Sequence, residues 1–280
     1  MLSRRLCTFA LGVVSAVSVV GARGAAAQSS PRQQELDEIS ARGRALAGYQ
    51  RAAWAASMQL MATNPDPEKV QRYVAYHADS GWVVAFGRAS ADRDTFYVSQ
   101  IAIPAAVNGQ RVDSLFEFQQ FADFGPDTDF LARAARAMDL AVITFGATPR
   151  AYSAAALPNV NGEWFIYLIP SANAASVWPL GDDIRYRVSA DGRRILDTHR
   201  MHKGMVSDRD DSDGKRLTST GHSKALHDLP EDTDVFHVLM GRPVKPEVVV
   251  TPHNQYIIGV DGSVKLQTKE TVVGSNVTQR

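Results

Sequence analysis

The residues best equipped for chemistry gather late in the chain. Six of the seven histidines, His199, His202, His222, His227, His237 and His253, fall between positions 199 and 253. The run Thr218-Ser219-Thr220-Gly221-His222-Ser223-Lys224-Ala225-Leu226-His227-Asp228, continuing through Pro230-Glu231-Asp232-Thr233-Asp234 to His237, holds three of them among several carboxylates. Neutral imidazole and carboxylate oxygen together satisfy zinc or a similar cation, which makes His222, His227 and Asp234 the candidate metal ligands. Their spacing matches no helical H-E-x-x-H pattern, and Lys224 sits inside the cluster. His199 and His202 stand three apart on an expected strand, so their side chains should face opposite ways and not share an ion. His237 alternates with Val235 and Leu239 on what reads as a strand face, the place of a hydrogen-bonded structural histidine. In the plainer reading the whole cluster is solvated or structural.

The order of Gly221-His222-Ser223-Lys224, Pro230-Glu231-Asp232-Thr233-Asp234, Arg242-Pro243, Val248-Val249-Val250-Thr251, Tyr256-Ile257-Ile258 and Asp261-Gly262 resembles the core of the JAB/MPN metalloprotease family. That family holds zinc with H-[ST]-H-P and S-x-x-D and activates water with a glutamate from an earlier strand, for isopeptide or peptide hydrolysis. The resemblance implies His222 and Asp234 as ligands and Glu163, the only glutamate between Glu117 and Glu231, as the distant base. Lys224 replaces the second histidine, Ala225 the proline and Glu231 the serine, and the His222-to-Asp234 interval is one residue shorter. A protonated lysine has no lone pair and repels a dication. These departures imply a metal-free relative unless His227 substitutes as a ligand. The chain is also similar to an uncharacterised family of secreted bacterial proteins, a likeness that carries no chemistry.

Gly221-His222-Ser223-Lys224-Ala225 approaches the G-x-S-x-G nucleophile elbow, with Ser223 as nucleophile and Asp234 and His253 following in triad order. The surrounding pattern is one of antiparallel hairpins rather than the parallel sheet an elbow needs, and a chance match in a polar turn explains it equally. Asp208-Arg209-Asp210-Asp211-Ser212-Asp213-Gly214 invites a calcium loop, but that register puts Arg209 at the first ligand position and Thr220 where a bidentate glutamate belongs. A solvated hairpin tip is the simpler reading. Trp164, Phe165, Tyr167, Trp178 and Tyr186 in one region, and Phe116, Phe118, Phe121 and Phe124 in another, are core residues or the lining of an apolar binding surface.

The elements that must position these groups follow from periodicity and punctuation. Pro31 to Met61, with Leu36, Ile39, Leu46, Ala53 and Leu60 near helical spacing, reads as one long helix stopped by Asn64-Pro65-Asp66-Pro67. Gly43 and Gly48 each weaken it by roughly 1 kcal/mol relative to alanine, so it should lean on the body. A short helix is expected at 67–76, then strands at 82–86 and 95–103, and a turn at Asn108-Gly109. Asp127 should cap a helix whose apolar face carries Phe130, Ala134, Met138, Ala141 and Phe145. Asn161-Gly162, Asp191-Gly192 and Asp261-Gly262 mark type I′ hairpins, and 235–240 and 247–251 read as further strands.

The first residues, Met1-Leu2-Ser3-Arg4-Arg5, precede an uncharged apolar run from Leu6 to Val20 and an Ala25-Ala26-Ala27 cleavage site. This is the pattern of a secretory signal peptide. Its removal takes away three arginines and no acid, leaving 27 basic against 30 acidic residues. Such a balance lacks the clustered cations that nucleic acid demands. Cys7 is the only cysteine, which excludes disulfides, thiolate zinc sites and cysteine nucleophiles from the remainder. The expected organisation is a leader at 1–27, a helical arm at 28–66, an α+β portion at 67–150, an antiparallel portion at 151–267 and a polar tail at 268–280. The expectation is therefore an α+β protein, periplasmic or secreted, with no transmembrane segment in its mature form. Its expected role is a non-enzymatic envelope module binding a protein or small-molecule ligand, without a cofactor; the alternative is a zinc-dependent hydrolase.

Overall fold

The structure, a computed structural model, describes residues 30–172, 178–206, 220–223 and 226–267. The expected leader at 1–27, the Asp208–Gly214 run, Lys224, Ala225 and the tail beyond Gln267 lie outside the described residues. No helix among the described residues is long and apolar enough to cross a membrane.

The longest element is the helix α1 (Pro31–Met61). Ser30 caps it through its hydroxyl, which accepts from the Gln33 amide at 3.3 Å. Pro31 occupies the first turn, where its missing N–H costs nothing, and Asn64 leaves the helix in a left-handed conformation at φ 50°. With 31 residues α1 is roughly 46 Å long, enough to lie across several sheets. Its two inner glycines are close-approach positions. A Cβ on Gly43 would lie 2.4 Å from the Val235 Cβ, and one on Gly48 would lie 2.3 Å from the Trp82 Nε1.

Four strands, β1 (Arg72–Ala78), β2 (Gly81–Ala89), β3 (Phe96–Val107) and β4 (Gln110–Asp127), form an antiparallel meander in sequence order. The helix α2 (Phe130–Phe145) follows, with the Asp127 carboxylate accepting from the amides of Leu131 and Ala132. Next come β5 (Tyr152–Pro158), β6 (Trp164–Pro170), β7 (Leu180–Gly181), β8 (Ile184–Val188), β9 (Ile195–Arg200) and β10 (Met205–Val206). Of these, β5-β6-β8-β9 make a second antiparallel sheet, and β7 pairs with β10. The last sheet has the order β11 (Thr220–Ser223), β12 (Glu247–Val250), β13 (Gln255–Ile258) and β14 (Val264–Leu266), with β11 parallel to β12. The helix α3 (Asp232–Met240) fills the crossover between those parallel strands.

Strand alternation shows how the layers pack. Ala75, Val84, Phe86, Ala155, Leu157, Tyr167 and Ile169 join the core beneath α1, while their neighbours Val74, Ala85, Ala156, Ile166 and Leu168 join the core beneath α2. The first two sheets are thus covered on both faces. That explains their near-continuous apolar runs, Trp82-Val83-Val84-Ala85-Phe86 and Trp164–Ile169. Both cores draw on residues before and after 146–152. The start of α1, through Leu36 and Ile39, packs instead on α3 and the last sheet with Val235, Val238, Val249, Tyr256 and Ile258.

The α+β class is as expected, and three local expectations are corrected. The segment 67–76 is not a helix: Pro67–Lys69 is a turn and Arg72–Ala78 pairs antiparallel with β2. Aromatic and β-branched residues, with Gly81 turning at φ 102°, prevail there. The segment 235–240 is not a strand but α3. Glu231 and Asp234 form a reciprocal capping box at its start, so the cap prevails over the β propensity of Val235, Phe236 and Val238. Among the hairpin dipeptides, only Asn108-Gly109 and Asn161-Gly162 carry positive φ at both residues; at Asp191-Gly192 and Asp261-Gly262 the glycine alone does.

Candidate metal centre

The start of α3 carries three acids, Glu231, Asp232 and Asp234, and each enters a different polar network. The cap geometry that begins the helix also fixes where these carboxylates point.

Asp234 has no exposed surface. Its Oδ2 accepts from the Glu231 amide at 2.7 Å, and its Oδ1 lies 2.9 Å from His202 Nε2 and 3.2 Å from His222 Nε2. His202 follows the end of β9, and His222 sits on β11 opposite Val249. Ligand atoms of all three residues lie within 4.8 Å of one another. The far side of each ring is also held: His202 Nδ1 donates to Asp183 at 2.8 Å, and His222 Nδ1 donates to Glu247 at 2.8 Å. The second Glu247 oxygen receives His237 Nδ1 at 3.2 Å. The result is a chain of alternating acids and imidazoles, buried through Asp183, His202, Asp234, His222 and Glu247 and reaching partial exposure at His237. His222 Nε2, 3.2 Å from Asp234, has no aligned hydrogen-bond partner among the described residues.

Electrostatics in the metal-free chain follow from this alternation. Burial opposes a charge on His202, but hydrogen bonds to Asp183 and Asp234 outweigh it and push its pKa up to about 10. His222 is likewise opposed by burial and raised to about 9 by Asp234 and Glu247. Asp234 stays ionised far below the usual carboxylate range: burial would raise it, and the two imidazoles overcome that.

A second group lies nearer the surface. His199 Nε2 is 3.0 Å from the Glu231 carboxylate and the His199 ring stacks on His227 at 4.6 Å, while His227 Nε2 donates to the Arg200 carbonyl at 3.4 Å. Ligand atoms of His199, His227 and Glu231 also fall within 4.8 Å of one another. The same three chain segments therefore supply one residue to each triad: His199 and His202, His222 and His227, Glu231 and Asp234. Asp232, between the two acids, turns away to receive Arg42 Nε at 3.0 Å, the Tyr167 hydroxyl at 2.8 Å, and Arg185.

The structure separates the ligands expected from sequence. His222 and Asp234 come together, but His227 belongs to the outer triad and its inner place is taken by His202. Glu163, the base implied by the JAB/MPN resemblance, is paired with Arg187 at 3.2 Å and with neither triad. Ser223 ends β11 with its side chain exposed, and His253 is paired with Asp228 at 3.5 Å rather than with Ser223 or Asp234. His237 lies on a helix, not a strand. Sequence reasoning missed His202, Asp183 and Glu247. His199 and His202 fall in different triads, in keeping with the expectation that they share no ion, and His202 lies just past the end of β9.

No family model, curated protein or solved structure matches the chain.

Proposed function

We propose that the chain is an exported metalloprotein that holds a divalent ion of the zinc type between His202, His222 and Asp234 and uses it for metal-assisted hydrolysis. The observation that carries this reading is the pair of carboxylates behind the rings. A metal-binding histidine normally gives its other N–H to a carboxylate or carbonyl, which fixes the ring and raises its basicity. Asp183 and Glu247 do this for the two imidazoles, leaving both Nε2 atoms facing one Asp234 oxygen.

The donor set supports a catalytic rather than a structural role. Structural zinc sites use four ligands and favour thiolates, whereas two histidines and a carboxylate leave a coordination position for water. The only cysteine of the chain is Cys7. A bound ion would supply a Lewis acid that lowers the pKa of that water. The chain itself fixes the orientation of both rings through Asp183 and Glu247, excludes bulk water from Asp234, and sets a second acid–base pair nearby, His199 from β9 against Glu231 at the start of α3. The leader-like first 27 residues support placement outside the cytoplasm.

Metal analysis of protein purified without a histidine tag tests the proposal. One zinc, manganese or nickel per chain is expected, lost in His202→Ala and His222→Ala, with hydrolysis of model peptides or esters abolished by chelator and restored by the ion. Absence of stoichiometric metal together with no cation-dependent thermal shift would sink it.

A further inference from the structure

A cavity of about 1190 Å³ opens along the seam between β1 and β5, under the first half of α1 and beside the start of α2. It is larger than the 300–1,000 Å³ usual for small-molecule sites. Its walls are aromatic: Tyr76, Trp82, Phe130 and Phe165 line it, with Tyr76 edge-on to Phe130 at 5.7 Å and the His77 ring edge-on to Trp82 at 5.5 Å. The room comes from small side chains: Ala75 and Ala156 in the interior, Ala45 partly buried, and Ala41 exposed at the mouth. The cleft opens to solvent between Ala41 and Val160, and apolar walls around a space of this size suit a small apolar ligand.

The charged groups at the rim are already engaged. Arg42 is bonded to Asp232 and Glu38 and lies over the Phe165 ring at 5.8 Å, Arg44 Nε donates to the Asp261 carbonyl at 2.8 Å, and Asp127 caps α2. An anionic ligand would have to compete for arginines that carboxylates and a carbonyl hold. We infer that this cavity is a binding site for an uncharged, ring-bearing apolar molecule, recognised by aromatic contact rather than by charge. The site is distinct from the histidine–carboxylate centre and does not depend on a bound ion.

Two dyes that share a ring framework provide the test. N-phenyl-1-naphthylamine is uncharged, and 1-anilinonaphthalene-8-sulfonate is its sulfonated analogue. With chelator-treated protein, the neutral dye is expected to bind saturably at one per chain with a blue-shifted emission, and at least tenfold more tightly than the sulfonate. Ala41→Trp places a large ring on an exposed position of α1 at the mouth, and Ala156→Leu fills the interior. Each is expected to weaken the neutral dye at least tenfold while the thermal midpoint holds or rises. Should Ala156→Leu fail to fold, Ala41→Trp decides alone. Equal binding of the two dyes, no saturable binding of the neutral one, or undiminished binding by Ala41→Trp overturns the inference. A result either way leaves the metal proposal standing, because the ion is absent throughout.

Discussion

Glu247 Oε1 lies 2.8 Å from His222 Nδ1, on the side of the ring that faces away from Asp234. The glutamate comes from the first residue of β12 and the histidine from β11, two strands joined in parallel with Thr220 opposite Glu247. Strand pairing thus sets the ring orientation. Glu247→Gln keeps the size and removes the charge that makes His222 basic. If His222 binds metal, this change should weaken zinc binding by about 10–100-fold without removing any ligand. Competition against a chromophoric chelator reads it directly, and unchanged affinity would show that the carboxylate is only structural.

Acid and base should act in opposite senses on the metal-free and metal-loaded protein. In the metal-free chain His202 and His222 are raised from 6.5 to about 10 and about 9. A raised pKa gives stability that is complete below the unfolded value and is lost as pH climbs through the folded one. The metal-free thermal midpoint should therefore fall between pH 6.5 and 10. Asp234, held low, contributes above its unfolded value and loses that contribution only as acid reaches its depressed pKa. An ion must displace the protons on both rings, so its stabilisation should grow over the range in which the metal-free chain weakens. Calorimetry near pH 7.5 in buffers of different ionisation enthalpy should register about two protons released per ion. Release of none would contradict ligation through both imidazoles.

How much of this was legible beforehand depends on the kind of signal. The extent of α1, the Asp127 cap and the Asn-Gly turns are local matters, decided by residues adjacent in sequence, and they read correctly. The start of α3 was also local, since Glu231 and Asp234 stand at capping-box spacing, but the β-branched run behind them masked it. The donor set was not local. His202 lies 20 positions before His222 and Asp183 lies 19 before His202, and only the pairing of β8 with β9 and the crossover through α3 bring them together. Nearness in sequence sets His227 beside His222, whereas the fold stacks it on His199.

Gly48 poses a contest between helix propensity and packing. Alanine would favour α1 by about 0.8–1 kcal/mol, but its Cβ would meet the Trp82 indole at 2.3 Å. The steric penalty should win, so Gly48→Ala is expected to lower stability and to shift tryptophan emission. In a Trp82→Ala background the same change should become stabilising. This reversal of sign is the coupling a double-mutant cycle measures, and a stabilising Gly48→Ala in the native background would show that the indole has room to move.

Asp232 and Glu38 share Arg42 but not an environment. Asp232 is fully buried and also holds Arg185 and Tyr167, whereas the Glu38 side chain is 69% exposed. Both arginines stack near the Phe165 ring, Arg185 at 4.8 Å and Arg42 at 5.8 Å, so they cannot turn to water without giving up that packing. Removing Asp232 takes the buried carboxylate from Arg185 and leaves Arg42 only the exposed Glu38, a loss of about 3–5 kcal/mol by the usual cost of breaking a buried pair. Asp232→Asn should cost nearly as much as Asp232→Ala, since charge rather than size is what the arginines lose. Glu38→Gln should cost under about 1 kcal/mol, because an exposed pair is screened by solvent. Urea unfolding at neutral pH compares them, and similar losses for Asp232→Asn and Glu38→Gln would place the stabilisation in Arg42 packing instead of in the buried carboxylate.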